Sequence, residues 1–175
     1  ARIHAGDFRL TPNQNLIITG VPAGQRDVID ALVARHGLDN YRSSSALRLH
    51  ALACVAFPTC TLAMAEAERY LPSLIDKIDG ILRTNGLEKE AINIRMTGCP
   101  NGCARPYVAE IAFVGKAPGR YQVWLGGDAS GTRLNRIWKD VVKDPDMETE
   151  LRPVLARFAK ERNPNERFGD WCDRV

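Results

Sequence analysis

Apolar residues occur in short separate bursts along this chain, and their spacing predicts an alternation of strands and helices. After a polar stretch from Phe8 to Asn15, the β-branched run Leu16-Ile17-Ile18-Thr19 is closed by Gly20 and Pro22, the pattern of a loop feeding a strand. Val28, Ile29, Leu32 and Val33 then fall on one face of a 3.6-residue period, and Gly37 follows where a C-terminal cap belongs, so a helix is expected from Gly24 to His36. A strand and a helix within about thirty residues make half of an α/β unit, and the other half is not in this sequence. The chain is therefore expected to be cut from a longer domain.

Residues 39–53 give a mixed signal, with Ser43-Ser44-Ser45 marking a loop. Thr61 can cap a helix carrying Leu62, Met64, Ala65, Glu66, Glu68 and Arg69, which Pro72 ends and restarts. Ile75, Ile78, Ile81 and Leu82 give the next helix its apolar face, stopped near Asn85-Gly86. Ile92, Ile94 and Met96 alternate with Asn93, Arg95 and Thr97, which predicts a strand running directly into Gly98-Cys99. Val108–Val114 and Tyr121–Leu125 read as two strands joined by a long turn. Leu134, Ile137, Trp138 and Val141 suggest a short helix, and Leu151, Val154, Leu155 and Phe158 a longer one ended by Asn163-Pro164. The tail is polar and aromatic. The expected class is α+β, a mixed sheet with flanking helices.

Composition narrows the function more than the fold. With 175 residues, 45% of them hydrophobic, the chain can bury an ordinary core, and disorder or a fibre is excluded. The 24 Lys and Arg against 21 Asp and Glu leave a net charge of +3 with the signs interspersed, so no nucleic-acid or membrane-surface footprint is present. The longest apolar run, Ala51–Phe57, is broken by Pro58 and is far too short to span a bilayer. The start, Ala1-Arg2-Ile3-His4-Ala5-Gly6-Asp7, has neither an initiator Met nor the regions of a signal peptide. Together with unpaired cysteine usage this suggests a soluble, cytoplasmic protein.

Chemistry concentrates at the cysteines. There are five, an odd number, and four form two close pairs: Cys54-Val55-Ala56-Phe57-Pro58-Thr59-Cys60 and Cys99-Pro100-Asn101-Gly102-Cys103. Neither spacing is that of a thioredoxin-type redox pair or of the usual zinc knuckle. Wide loops, apolar neighbours and the glycines at 98 and 102 suit an iron–sulfur cluster, whose thiolates need room and close backbone amides. Spacing alone leaves structural zinc and free thiols open.

The run Ala53–Arg69 with Thr97-Gly98-Cys99-Pro100-Asn101-Gly102-Cys103 resembles the sirohaem and [4Fe-4S] nitrite and sulfite reductase family, and within it the haemoprotein (β) subunits of NADPH-dependent assimilatory sulfite reductases. The resemblance continues in the same order through Gly6–Thr11 with Asn13-Gln14-Asn15, Val114–Tyr121, Leu125-Gly126-Gly127, Gly131-Thr132-Arg133 and Phe168-Gly169-Asp170. It implies that Cys54, Cys60, Cys99 and Cys103 hold a [4Fe-4S] cluster, and that Cys103 also bridges to the sirohaem iron as axial thiolate. It implies six-electron reduction of sulfite to sulfide in sulfur assimilation and cysteine biosynthesis. Electrons would come from an NADPH-oxidising flavoprotein α subunit or a ferredoxin, since no dinucleotide fingerprint is present in this chain. Residues 1–38 would close a ferredoxin-reductase-like half-domain and 39–175 form the domain of the cluster and sirohaem.

The family's substrate-binding and sirohaem-binding Arg and Lys residues come from an earlier half of the polypeptide, without counterpart here, so this portion is expected to be inactive alone. A sirohaem nitrite reductase, or a zinc-stapled module without catalysis, are the alternatives. Asn101 could touch the tetrapyrrole or simply shape its Pro-Asn-Gly turn. Thr11, Asn13, Gln14 and Asn15 could hydrogen-bond sirohaem carboxylates or cap their own loop. Arg9, Lys116, Arg120 and Arg133 could neutralise an anion or stay solvated. His4, His36 and His50 form no ligand pair and are expected at the surface or at helix ends. Cys172, outside both motifs, is expected to have no role beyond a partly buried thiol.

Overall fold

The structure, a computed structural model, describes residues 3–175. Residues 1 and 2, which begin the segment read above as lacking a signal sequence, lie outside the described residues. The chain forms two compact units, the first ending at Ser44 and the second running Ser45–Val175. No helix among the described residues is long and apolar enough to cross a membrane.

In the first unit, β1 (Phe8–Leu10) pairs antiparallel with β2 (Leu16–Ile18), Phe8 opposite Ile18 and Leu10 opposite Leu16. The segment expected to be only a feeding loop thus contains a strand, because β2 offers it a hydrogen-bonding edge. The helix follows as α1 (Arg26–Arg35), entered through a 3-10 turn at Ala23–Gln25. Gly37 ends it in the left-handed region at φ +64°, with its N–H on Ala34 O at 2.9 Å and that of Leu38 on Val33 O at 3.0 Å, the paired bonds of a glycine cap.

The second unit is built on a five-stranded mixed sheet in the order β3-β4-β5-β6-β7. β3 (Ala51–Ala53), β4 (Ile94–Thr97) and β5 (Ile111–Ala117) run parallel, and β6 (Arg120–Leu125) and β7 (Arg136–Lys143) continue antiparallel. Preceding β3 is the short α2 (Ala46–Leu49), capped by the Ser45 hydroxyl, which accepts from Arg48 N at 3.1 Å. α3 (Leu71–Thr84) links β3 to β4, and α4 (Met147–Glu161) and α5 (Phe168–Arg174) close the chain. One core joins Leu74, Ile75, Ile78 and Ile81 of α3, Ile94, Met96, Ile111, Phe113 and Val123 of the sheet, Leu155 and Phe158 of α4, and Phe168 and Trp171 of α5.

Four local expectations give way to tertiary context. Thr61–Arg69 is not a helix: Met64 N and Ala65 N both donate to Gly98 O, at 2.8 and 3.0 Å, which takes the segment off a helical path. Leu134, Ile137, Trp138 and Val141 fit a helical period, yet residues 136–143 are β7, because the free edge of β6 pairs with them, Trp124 opposite Ile137 and Tyr121 opposite Val142. The long turn shrinks to Pro118-Gly119, since β5 extends through Gly115 to Ala117 with a bulge. The polar tail contains α5, whose Phe168 and Trp171 are buried against Phe158 with ring centroids 5.3 and 5.7 Å away. Arg95 and Thr97, the polar phase of β4, are buried, as in a central strand covered on both sides.

One buried charge ties the terminus to the sheet. The fully buried Glu110 carboxylate accepts from Asn93 N at 2.8 Å, Gly169 N at 3.1 Å and Arg167 Nη2 at 2.7 Å. Glu110→Gln turns one acceptor oxygen into a donor facing donors. The expected loss is about 2 kcal/mol, read as a lower urea midpoint, mainly from backbone amides left unpaired, Arg167 being partly in solvent.

Candidate functional site

Both cysteine motifs emerge from the same end of the sheet. β3 and β4 are parallel, with Ala53 opposite Met96, and Cys54 continues the ladder by donating its N–H to Met96 O at 3.1 Å. Cys54 is the first residue after β3, and Gly98-Cys99 follow β4 directly, so the register alone brings residues 44 positions apart into contact. The Cys54 sulfur accepts the Gly98 N–H at 3.2 Å and lies 3.6 Å from the Thr97 hydroxyl.

The loops are then fixed by bonds that no local pattern announces. Gly98 O receives two amides from the 54–70 loop, Glu68 N donates to Cys54 O at 3.1 Å, and Cys60 N donates to Ala56 O at 2.8 Å. The Tyr121 hydroxyl, held protonated because burial raises its pKa, donates to Glu66 O at 2.9 Å. Gly98 is required by contact: a Cβ there would stand 2.6 Å from Ala56 Cβ and 2.7 Å from Ala65 O. On the other loop, Tyr107 donates to Pro100 O at 2.8 Å, and Thr97 Oγ1 to Cys99 O at 3.2 Å.

All five cysteines are free thiols: Cys99 is buried, Cys54, Cys60 and Cys172 are half-buried, and Cys103 is exposed. Among the described residues no three His, Cys, Asp or Glu side chains converge as the ligands of a single ion do. A cluster is broader than one ion and takes thiolates that stand farther apart. Sulfur donors on two interlocked loops, one already accepting an amide, fit that larger group.

Asn101 is exposed at the tip of the second loop. Thr11, Asn13, Gln14 and Asn15 form the β1–β2 turn of the first unit, where Asn15 N donates to Thr11 Oγ1 at 3.0 Å and Gln14 N to Thr11 O at 3.1 Å, so the turn caps itself. Lys116 pairs with Asp140 at 3.0 Å and Arg133 with Asp170 at 2.7 Å. Glu66 pairs with Arg69, three residues on. His50 contacts Ala46 O and His36 follows the last turn of α1, while His4 is half-buried, packing edge-on against Phe8 with both ring nitrogens out of solvent. Thr97, Tyr107 and Tyr121 were missed. Thr97 had a signal, a polar residue one step before a Gly-Cys pair; Tyr107 lies close to Pro100 in sequence with no pattern to mark it, and Tyr121 acts on Glu66 across a separation no window covers.

Comparison with known proteins shows which family the chain is similar to. Residues 44–175 match the family described as "Nitrite and sulphite reductase 4Fe-4S domain", and residues 1–36 match "Nitrite/Sulfite reductase ferredoxin-like half domain". The chain is 57% identical over 175 residues to the sulfite reductase [NADPH] hemoprotein beta-component of Geobacillus kaustophilus, covering 100% of this chain and 30% of that protein. It is 55% identical over 175 residues to the protein of the same name from Myxococcus xanthus, covering 100% of this chain and 31% of that one. The chain thus spans about 30% of the length of these relatives. Among solved structures, the Mycobacterium tuberculosis NirA protein superposes with a TM-score of 0.78 at 28% identity, over 96% of this chain and 32% of the other.

Cys172 separates from the other four by its environment. Burial pushes its thiol up to about 12, Glu110 adds to the shift and Arg133 opposes it, so it stays a thiol throughout the neutral range. In cluster-free protein treated with iodoacetamide at pH 8, Cys103 is expected to be alkylated early and Cys172 only after denaturation, as mapped by peptide mass spectrometry.

Proposed function

The chain belongs to the nitrite and sulfite reductase family, and we propose that it supplies the [4Fe-4S] cluster ligands and the axial thiolate of a sulfite reductase haemoprotein. Cys54, Cys60, Cys99 and Cys103 would hold the cluster, and Cys103, the exposed member, would be shared with the sirohaem iron. The observation that carries this is the parallel β3–β4 register, which delivers both cysteine loops to one end of the sheet with a backbone amide already on the Cys54 sulfur. When bound, a cluster coupled to sirohaem supplies the electron storage and the substrate-binding iron that reduction of sulfite to sulfide by six electrons needs.

The chain's own residues hold the sulfurs, and the Gly98 N–H is donated to that of Cys54. Val55, Leu62 and Met64 flank the motifs with exposures of 44%, 65% and 40%, apolar surface suited to a macrocycle and to the rest of the polypeptide. Asn101 and the turn residues Thr11, Asn13, Gln14 and Asn15 are the groups proposed to hydrogen-bond sirohaem. Residues 1–38 would close a ferredoxin-reductase-like half-domain and 39–175 form the domain of the cluster and sirohaem. The cationic groups for sulfite would come from the remaining N-terminal half, and electrons from a flavoprotein or ferredoxin partner in the cytoplasm. Sulfite is preferred to nitrite because the relatives at 55–57% identity are named sulfite reductases.

The test uses the full-length polypeptide, purified anaerobically. Four irons and four acid-labile sulfides per chain are expected, with clear loss in each of Cys54→Ser, Cys60→Ser, Cys99→Ser and Cys103→Ser; one zinc without sulfide would replace this reading by a stapled module. With a strong artificial reductant, sulfide production from sulfite should exceed turnover of nitrite, and residues 1–175 alone should give none. Gly98→Ala should force the loops apart, costing about 1–3 kcal/mol and most of the iron content.

A further inference from the structure

The polar phase of β4 ends in a residue that touches both cysteine motifs. Thr97 is fully buried, its hydroxyl lying 3.6 Å from Cys54 Sγ and 3.2 Å from Cys99 O. We propose that Thr97 is a positioning residue for the cluster, its hydroxyl donating to the Cys54 sulfur and thereby raising the cluster's reduction potential. This rests on the cluster reading above and adds a residue outside the ligand set.

The argument is one of counting hydrogens. A threonine hydroxyl carries a single hydrogen and can serve either Cys54 Sγ or Cys99 O. While Cys54 is a thiol, its own S–H can point at Thr97 and leave the Thr97 hydrogen to the carbonyl. An iron-bound thiolate has no hydrogen to offer, so the 3.6 Å contact becomes favourable only when Thr97 turns its hydrogen to sulfur. The carbonyl bond released is long for O–H···O, at 3.2 Å, whereas a bond to anionic sulfur is charge-assisted. Gly98 N–H, at 3.2 Å on the same sulfur, cannot substitute for it, being fixed by the backbone. Two donors on one ligand sulfur spread the negative charge that the cluster gains on reduction, and hydrogen bonds to sulfur are a lever on cluster potential.

Thr97→Val keeps shape and removes the hydroxyl; Thr97→Ser keeps the hydroxyl. In full-length protein loaded with cluster, the midpoint potential is measured by EPR-monitored redox titration beside iron and sulfide content. The expected result is a midpoint shifted to lower potential in Thr97→Val with iron content unchanged, and a midpoint at the parent value in Thr97→Ser. Equal midpoints in the parent and Thr97→Val would overturn the proposal, as would an equal shift in both variants. If Thr97→Val does not accumulate as folded protein, Thr97→Ala against Thr97→Ser isolates the hydroxyl in the same way, equal midpoints again overturning it. Absence of iron and sulfide from the parent itself would instead be the failure of the cluster reading.

Discussion

Everything at the cysteine site depends on two short strands being parallel and in one register. Because Ala53 lies opposite Met96, the chain leaves β3 and β4 at the same level, and the first cysteine of each pair follows within two residues. Parallel pairing needs a long crossover, and here the crossover contains both the remainder of the first cysteine loop and α3. The apolar face of α3 buries the strands from one side, and that burial is what makes three- and four-residue strands stable enough to set a site. The same geometry places the site outside the carboxyl ends of parallel strands, where open α/β sheets commonly bind their ligands.

Close packing at that end leaves no room for error. Gly98 meets Ala56 and Ala65, and a Cβ at Gly115 on the next strand would stand 2.4 Å from Gly98 O. Small residues on three consecutive segments let backbone approach backbone, so that amides of the 54–70 loop reach a single carbonyl. A loop held by its own main chain cannot easily retract, so the cysteines it carries are held in place. The antiparallel half of the sheet contributes from a distance: Tyr121 on β6 secures the loop at Glu66, and Tyr70 at the loop's end stacks on Tyr121 with ring centroids 6.0 Å apart.

The C-terminal segment has a quieter task. α5 packs its aromatic residues under α4 and anchors its first turn on Glu110, at the start of β5. The cost of burying that carboxylate is offset by three donors, two of them backbone, so the tail is fixed to the strand that adjoins β4 and stiffens the platform from behind. In the first unit the β1–β2 turn is stabilised by its own hydrogen bonds, an ordered polar surface that is already formed in this chain.

Much of this was legible in the residues themselves. Periodicity located α1, α3 and α4, the alternation from Ile92 located β4, and the two cysteine motifs with their neighbours carried the resemblance to the family, because motif identity and local helix period are properties of a window. The helix expected at Thr61–Arg69 and the one expected around Leu134–Val141 failed for the complementary reason. Each has a helical pattern, but Gly98 O claims the amides of the first, and the open edge of β6 claims those of the second. Which loop meets which, why Thr97 is buried between the Cys54 sulfur and the Cys99 carbonyl, and why Tyr121, far along the chain, holds the first cysteine loop were decided by the tertiary structure alone. A backbone amide bonds to whatever acceptor the fold brings near, and the sequence records the amide without its partner.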